Sequence, residues 1–235
     1  YPIPDSYYKE HGIRVYGFHG TSHKYVSEQA ALWLKKPEAK LITIHLGNGC
    51  SMTAVNAGKS VDTTMGFGPL SGLMMGTRSG DIDPSVIFHL MEHSGYTLDQ
   101  LSTLLNKQSG LLGVGGSGDM RDIRKRVAQG DEKAMLALEL YAYRIKKFIG
   151  AYAAVLNGLD AIVFTAGVGE NDADMRSSVC HNLDYLNILL DENKNRQYKK
   201  ALAEINTEQS KVKILIIPTN EEYEIAHQCY KLLNA

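Results

Sequence analysis

What the sequence has little of narrows the field first. Its three cysteines (Cys50, Cys180, Cys229) are an odd number, widely spaced, with no CxxC pair. A reduced, cytoplasmic compartment is the simplest setting for such a set. Net charge is almost absent, −1 from 25 basic and 26 acidic residues, which removes any whole-molecule electrostatic case for binding nucleic acid or an acidic membrane. Apolar runs such as Lys40 to His45 fall far short of the ~20 residues that span a bilayer, and no basic leader followed by an apolar stretch is visible. An initiator methionine is lacking too. The chain begins Tyr1-Pro2-Ile3-Pro4, a beginning expected of a truncated chain with something upstream.

What is present is an ordinary globular balance, 44% apolar and 22% charged over 235 residues, enough for one large domain or one with a small appendage. The pattern predicts an extended entry followed by a short helical turn over 1–12, and a short strand at Ile13–Phe18. A helix is predicted from Lys24 to Lys36, stopped by Pro37. Leu41–Leu46, Ser51–Asn56 and Lys59–Thr64 read as three consecutive strands. Met65–Gly80 keeps no period and reads as a long functional loop. Helices are expected from Asp83-Pro84 and from Thr97. The clearest helix is capped by Asp131 and ended by Gly158, with a core stripe of Ala134, Leu138, Tyr141, Ile145, Phe148, Tyr152 and Val155. Strands at Ala161–Thr165 and Val212–Ile217, helices near 171–182 and 194–205, and a last helix opened by Asn220 complete a single α/β unit without repeats or linkers.

Glycine-rich turns are the main chemical signal. His45-Leu46-Gly47-Asn48-Gly49 and Ala166-Gly167-Val168-Gly169-Glu170-Asn171 each follow a buried-type strand, and Gly110–Gly118 holds five glycines in nine residues. Such turns let backbone N–H groups approach phosphate oxygens. Neither GxxxxGK[ST] nor a GxGxxG opening a βαβ unit is present, so the pattern points away from P-loop and Rossmann enzymes and towards an actin-like, sugar-kinase-like architecture. His19 and His23 are spaced i, i+4, but Gly20 stands where the helical zinc motif needs Glu; hydrogen-bond donors facing a charged substrate are the better reading. Arg78, between Gly76 and Gly80, suits a carboxylate or a transferring phosphoryl group as well as a plain surface charge. Glu221 and Glu222 fit either a helix N-terminus or a Mg²⁺ contact.

Taken together, the segments Tyr16–His23, His45–Gly49, Met74–Pro84, Asp119–Asp122, Phe164–Asn171 and Ile217–Glu222 resemble the acetate kinase family over essentially the whole chain. The resemblance implies an actin-like (ribonuclease H-like) ATPase domain, an α/β fold with a mixed β-sheet flanked by helices. It implies reversible, ATP-dependent phosphorylation of acetate to acetyl phosphate with Mg²⁺. His19 and Arg78 would stabilise the phosphoryl group in transit, with His23 supporting them. His45, Leu46, Gly47, Asn48 and Gly49 would carry the ATP phosphates. Asp119, Met120 and Arg121, with Gly167, Val168, Gly169, Glu170 and Asn171, would contact the nucleotide's adenosine, and Glu221 would be the Mg²⁺ ligand. ATP/ADP and acetate or acetyl phosphate are the expected partners, in a homodimer, with no nucleic acid and no membrane.

The sequence departs from that family at Cys50, at Ser71 and in the extra glycines of Gly113–Gly118. The family's N-terminal domain is missing, and with it an Asp acting on the acetate side, a carboxylate-binding Arg and an Asn near the metal. Residues 1–40 would be the connecting segment from it, so 1–235 is expected to bind nucleotide and to be poorly active alone. The alternatives are a propionate or butyrate kinase, a non-catalytic nucleotide-binding fragment, or a metallohydrolase built on His19 and His23.

Overall fold

The computed structural model describes residues 1–234. Along the chain run α1 (Ser6–His11), α2 (Gly20–Leu34), β1 (Lys40–Leu46), β2 (Cys50–Asn56) and β3 (Lys59–Thr63). Next come α3 (Pro84–Ser94), α4 (Leu98–Lys107), α5 (Gly110–Gly115), α6 (Met120–Ala128) and α7 (Glu132–Val155). β4 (Ala161–Thr165), α8 (Ala166–Asn171), α9 (Ala173–Cys180), α10 (Glu192–Arg196), β5 (Ala203–Glu204), β6 (Lys213–Ile216) and α11 (Glu221–Leu233) follow. By their contacts these residues fall into two compact units, one of residues 1–18, 48–50 and 64–145, the other of 19–47, 51–63 and the described residues from 146 onwards.

The second unit contains the sheet, in the order β3-β2-β1-β4-β6-β5. β1 runs parallel to β4 and β4 to β6, whereas β3 and β5 are antiparallel to their neighbours. The sheet is therefore mixed, and helices pack on it, as the resemblance implied. Strand alternation sorts its faces. Leu41, Thr43 and His45 of β1 point one way, as do Ser51, Thr53 and Val55 of β2. The apolar end of that face, with Ala161, Val163, Leu215 and Ile217, buries Val26 and Ala30 of α2. A helix laid over the strands thus has an oily end and a polar end beneath it. α2 is also tied to α11 by the ion pair of Lys24 with Glu224, whose carboxylate is buried.

The first unit is helical, with the loop Met65–Gly80 between β3 and α3. No regular element forms in that loop. It is held instead by point contacts: Arg144 donates to the carbonyls of Gly72 and Asp81, each at 3.1 Å, and the Gly72 N–H donates to the Asp81 carboxylate at 2.7 Å. α4 begins with a full capping box of Thr97 and Gln100.

Several sequence expectations need correction. Ile13–Phe18 is not a strand; Tyr16 and Gly17 both donate to the Gly66 carbonyl, which replaces a ladder with a single anchor. α2 starts at Gly20, four residues before Lys24, because its first turn packs on the sheet and tertiary burial outweighs the low helix propensity of Gly-Thr-Ser. Residues 194–205 hold only the end of α10 and then β5. In α7, Val155 is exposed although the stripe placed it in the core. Most of Gly110–Gly118 is the helix α5, not a turn, and a Cβ on Gly115 would lie 2.6 Å from Ile123 and 2.9 Å from Ala137. That glycine is there for helix packing, with no phosphate required to explain it.

Two glycines separate backbone strain from close approach. Gly58 and Gly80 have φ of +75° and +70°, but a Cβ meets open space at Gly58 and the Leu73 carbonyl oxygen at 2.3 Å at Gly80. Gly58→Ala should cost about 1–2 kcal/mol from the left-handed backbone alone. Gly80→Ala should cost clearly more, because backbone atoms must move as well. Urea unfolding midpoints of the two variants, compared with the parent, measure the difference.

Candidate active site

The polar end of the sheet face carries three histidines. His19 precedes α2 with φ of +57°, a left-handed conformation that costs a non-glycine residue energy and that clusters at functional positions. His23 lies one turn on, 4% exposed. His45 ends the inward row of β1, and its ring stacks on that of His19 with centroids 4.2 Å apart. Sequence reasoning put His19 and His23 together; the sheet adds His45 to the same cluster.

Hydroxyl groups satisfy these rings. The Ser51 hydroxyl lies 2.8 Å from His19 Nδ1 and 2.7 Å from His23 Nε2. Thr43 Oγ1 sits 2.7 Å from His23 Nδ1, and Ser22 Oγ 2.9 Å from His45 Nδ1. With both nitrogens of His23 so engaged, the ring has no lone pair left for zinc. Ser22, Thr43 and Ser51 were missed by the sequence reading. The signal available was the alternation of β1 and β2, which puts small hydroxyl residues on the histidine row.

Electrostatics divide the cluster. Burial, followed by the charges of His45 and His19, pushes His23 down to about 3. Burial, then the charge of His19, pushes His45 down to about 4. Both are therefore neutral imidazoles at neutral pH, flanking a ring placed at the surface end of the row.

The remaining candidates are placed as follows. Leu46 is fully buried, so only its backbone can serve a ligand, and Gly47, Asn48 and Gly49 form the β1–β2 turn. In the second unit Ala166, with φ of +64°, turns the chain from β4 into α8, which holds Gly167, Val168, Gly169, Glu170 and Asn171. Gly167 is exposed and a Cβ there would meet nothing within 4 Å, so no protein neighbour demands a glycine at that position. The buried Arg176 donates to the carbonyls of Gly169 and Glu170, each at 2.9 Å, and to the side chain of Asn195 at 2.7 Å. It pins the end of α8, and nothing in its surroundings in sequence distinguishes it from a surface charge. Thr219 donates to the Glu170 carboxylate at 3.4 Å, bringing α8 beside the segment that leads to Glu221, which is exposed in the first turn of α11.

In the first unit three glycine segments meet. A Cβ on Gly76 would lie 2.8 Å from Asn48 Oδ1 and 2.9 Å from the Gly118 carbonyl. Arg78 is half-buried, its guanidinium donating to the Pro69 carbonyl at 3.2 Å. Asp119 caps α6 by accepting from the Arg121 N–H at 2.8 Å, and it also pairs with the exposed Arg121 side chain. Met120 is 8% exposed, so its side chain belongs to the core.

Two buried neutral histidines make stability depend on pH in a definite window. Unfolded, each binds a proton near pH 6.5; folded, neither does until about pH 4 or 3. The unfolded state therefore holds more protons between those values, and stability falls as pH falls, by roughly 1.4 kcal/mol per pH unit for each ring. Urea unfolding between pH 7 and 4.5 should show this slope, and His45→Gln should remove about half of it. A flat profile would mean that folding leaves the proton affinity of the two rings unchanged.

Comparison with known proteins follows the same residues. Residues 1–227 match the model of the acetokinase family. An acetate kinase of Flavobacterium johnsoniae is 59% identical over 233 residues, covering 99% of this chain and 59% of the relative. The crystal structure of Porphyromonas gingivalis acetate kinase superimposes with a TM-score of 0.96 at 45% identity, over 99% of this chain and 59% of that one. A propionate kinase from Francisella tularensis does so with a TM-score of 0.91 at 48% identity, over 96% and 58%. The chain thus spans about 59% of the length of the curated relatives it matches. With its candidate residues lying inside the matched span and the fold superimposing throughout, the chain belongs to the acetokinase family.

Proposed function

We propose that this chain serves an acetate kinase: reversible, ATP-dependent phosphoryl transfer to acetate, a phosphotransferase reaction with a carboxyl group as acceptor. The observation that carries the reading is the histidine row, where the half-buried His19 stands beside the buried His23 and His45 at the polar end of a sheet face. Phosphoryl transfer asks little covalent chemistry of a protein. It asks for fixed donors and cations where charge spreads over the phosphoryl oxygens. His19 supplies such a donor, and His23 holds it from behind. The β1–β2 turn, with Gly47, Asn48 and Gly49, offers backbone N–H groups to the ATP phosphates, and the open Gly167 with Val168 to Asn171 leaves room for close approach by the nucleoside. Arg78 and Asp119 to Arg121 belong to the other unit, and their roles rest on the family resemblance.

Magnesium fits the residues present. Among the described residues no three His, Cys, Asp or Glu side chains are grouped to hold a metal. Mg²⁺ needs no such cage, because it keeps several waters and takes one or two carboxylates together with substrate phosphates. Glu221 is the carboxylate we assign to it. When bound, the ion would neutralise charge on the phosphate oxygens.

The acyl preference has a second reading, since one of the similar structures is a propionate kinase. An added methylene changes discrimination by only ~10–200-fold, and the ratio of kcat/KM for acetate and propionate decides between them. A homodimer is supported by α3, which has no buried residue and exposes Val86, Phe88 and Met91. Among the described residues no helix is long and apolar enough to cross a membrane, and none of the three cysteines is in a disulfide, which supports a reduced compartment.

Full turnover is proposed to need the part of the relatives' length that this chain does not span. Calorimetry should therefore show ADP or ATP binding to the purified chain, while acetyl phosphate formation stays near background. Rapid acetyl phosphate formation by the chain alone would overturn the division. In a complete enzyme carrying this sequence, His19→Ala should lower kcat by roughly 10²–10³-fold with little change in nucleotide affinity.

A further inference from the structure

A second i, i+4 histidine pair lies on α3, away from the histidine row. His89-Leu90-Met91-Glu92-His93 has the order His-x-x-Glu-His, in which one class of metallopeptidase presents two zinc-ligating histidines. Unlike His19 and His23, both fall well inside a regular helix, Pro84–Ser94. Residues four apart on a helix stand one above the other, and here the two rings are stacked with centroids 4.5 Å apart. Two imidazoles bound to one ion at about 2.0–2.1 Å each have centroids roughly 4.5–5 Å apart. Rotation of the two side chains therefore suffices to aim a nitrogen of each ring at a shared ion.

The surroundings of the rings agree. Both residues are exposed, and among the described residues the only polar partner of either ring is the His89 carbonyl, 3.3 Å from His93 Nδ1. A carbonyl accepts, so Nδ1–H of His93 makes that contact and Nε2 keeps its lone pair; a carbonyl is a usual outer partner of a ligating imidazole. His89 has one bare nitrogen in either neutral form. Imidazole suits zinc, nickel and copper, whereas magnesium takes oxygen ligands. No third His, Cys, Asp or Glu is grouped with the pair among the described residues, so water completes the coordination. Catalytic zinc has three protein ligands, and no catalysis is assigned to Glu92.

The consequence falls on α3 itself. None of its residues is buried; a cap by Asp83, Pro84 in the first turn and Gly95 at the end define it. Helices owe most of their stability to packing, so this one has little to hold it. An ion bridging positions 89 and 93 closes one turn and favours the helical form over the open one. At about 100° per residue, Phe88 and Met91 lie round the helix from the pair, so a second copy seated on them leaves the pair open.

We propose that His89 and His93 form a two-imidazole clip for a divalent transition ion of the zinc, nickel and copper class, which staples the middle turn of α3. The clip does not rest on the phosphotransferase reading. Its test is titration of the purified chain with Zn²⁺ by calorimetry and with Ni²⁺ by NMR of the histidine rings. Saturable Zn²⁺ binding that excess Mg²⁺ does not displace is expected, with slower amide hydrogen exchange across α3. Ni²⁺ should broaden the His89 and His93 signals before those of the other histidines. His89→Gln and His93→Gln keep a good helix former at an exposed position, and each should weaken Zn²⁺ binding by at least roughly tenfold. His93→Gln combined with Met91→His keeps the number of histidines but sets them on different sides of the helix, and should not restore binding. Unchanged Zn²⁺ affinity in the single variants overturns the clip, as does restored binding in the combined one. So does broadening centred on other histidines, or α3 exchange that bound Zn²⁺ leaves unaltered. Failure to bind ADP or ATP would sink the phosphotransferase reading and leave the clip standing.

Discussion

A buried imidazole with both nitrogens engaged is the constraint on which the candidate site depends. His23 is covered by α2 and the sheet, and an unpaired polar group in such a place costs on the order of 1–3 kcal/mol. Thr43 and Ser51 remove that cost, and in doing so they fix the ring's orientation. Because Ser51 is shared with His19, the geometry chosen to satisfy a core residue also sets the angle of a half-buried one. The support is thus built from β1 and β2, two neighbouring strands, rather than from loops.

The same face shows how the fold divides its labour. At one end Leu41, Val55, Ala161 and Leu215 bury the apolar side of α2; at the other Thr43, Ser51 and His45 present polar groups to the helix start. α2 is held at its oily end by packing and near its start by the Lys24–Glu224 pair to α11. α8 has its own brace in Arg176, a buried guanidinium that donates to two of its backbone carbonyls. Both helices begin at a non-glycine residue in the left-handed region, His19 and Ala166, so strain is stored at the two helix starts nearest the candidate residues. Packing behind each start is what sustains it.

Glycine, the first feature noticed in the chain, proves to serve several purposes. Gly115 lets α5 lie close to its neighbours, Gly80 passes against the Leu73 carbonyl, and Gly76 fits between Asn48 and Gly118. Gly167 alone among these has open space and no neighbour to explain it. Counting glycines therefore overstated Gly110–Gly118 as a ligand turn and understated its role in packing.

The sequence by itself determined the fold class, the order of most elements, and the segments that carry the family's chemistry. Hydrophobic period, caps such as Thr97 and Asp83, and glycine turns are local signals, and they act within a few residues. It also named His19 and His23 as a pair and His45 apart from them. The tertiary structure alone decided that these three form one row, that Ser51 joins two of them, and that Arg176 is internal. Those facts depend on which strands become neighbours and which face of each meets α2. Such pairings join residues 20 to 32 positions apart in the chain, a separation over which no local preference acts.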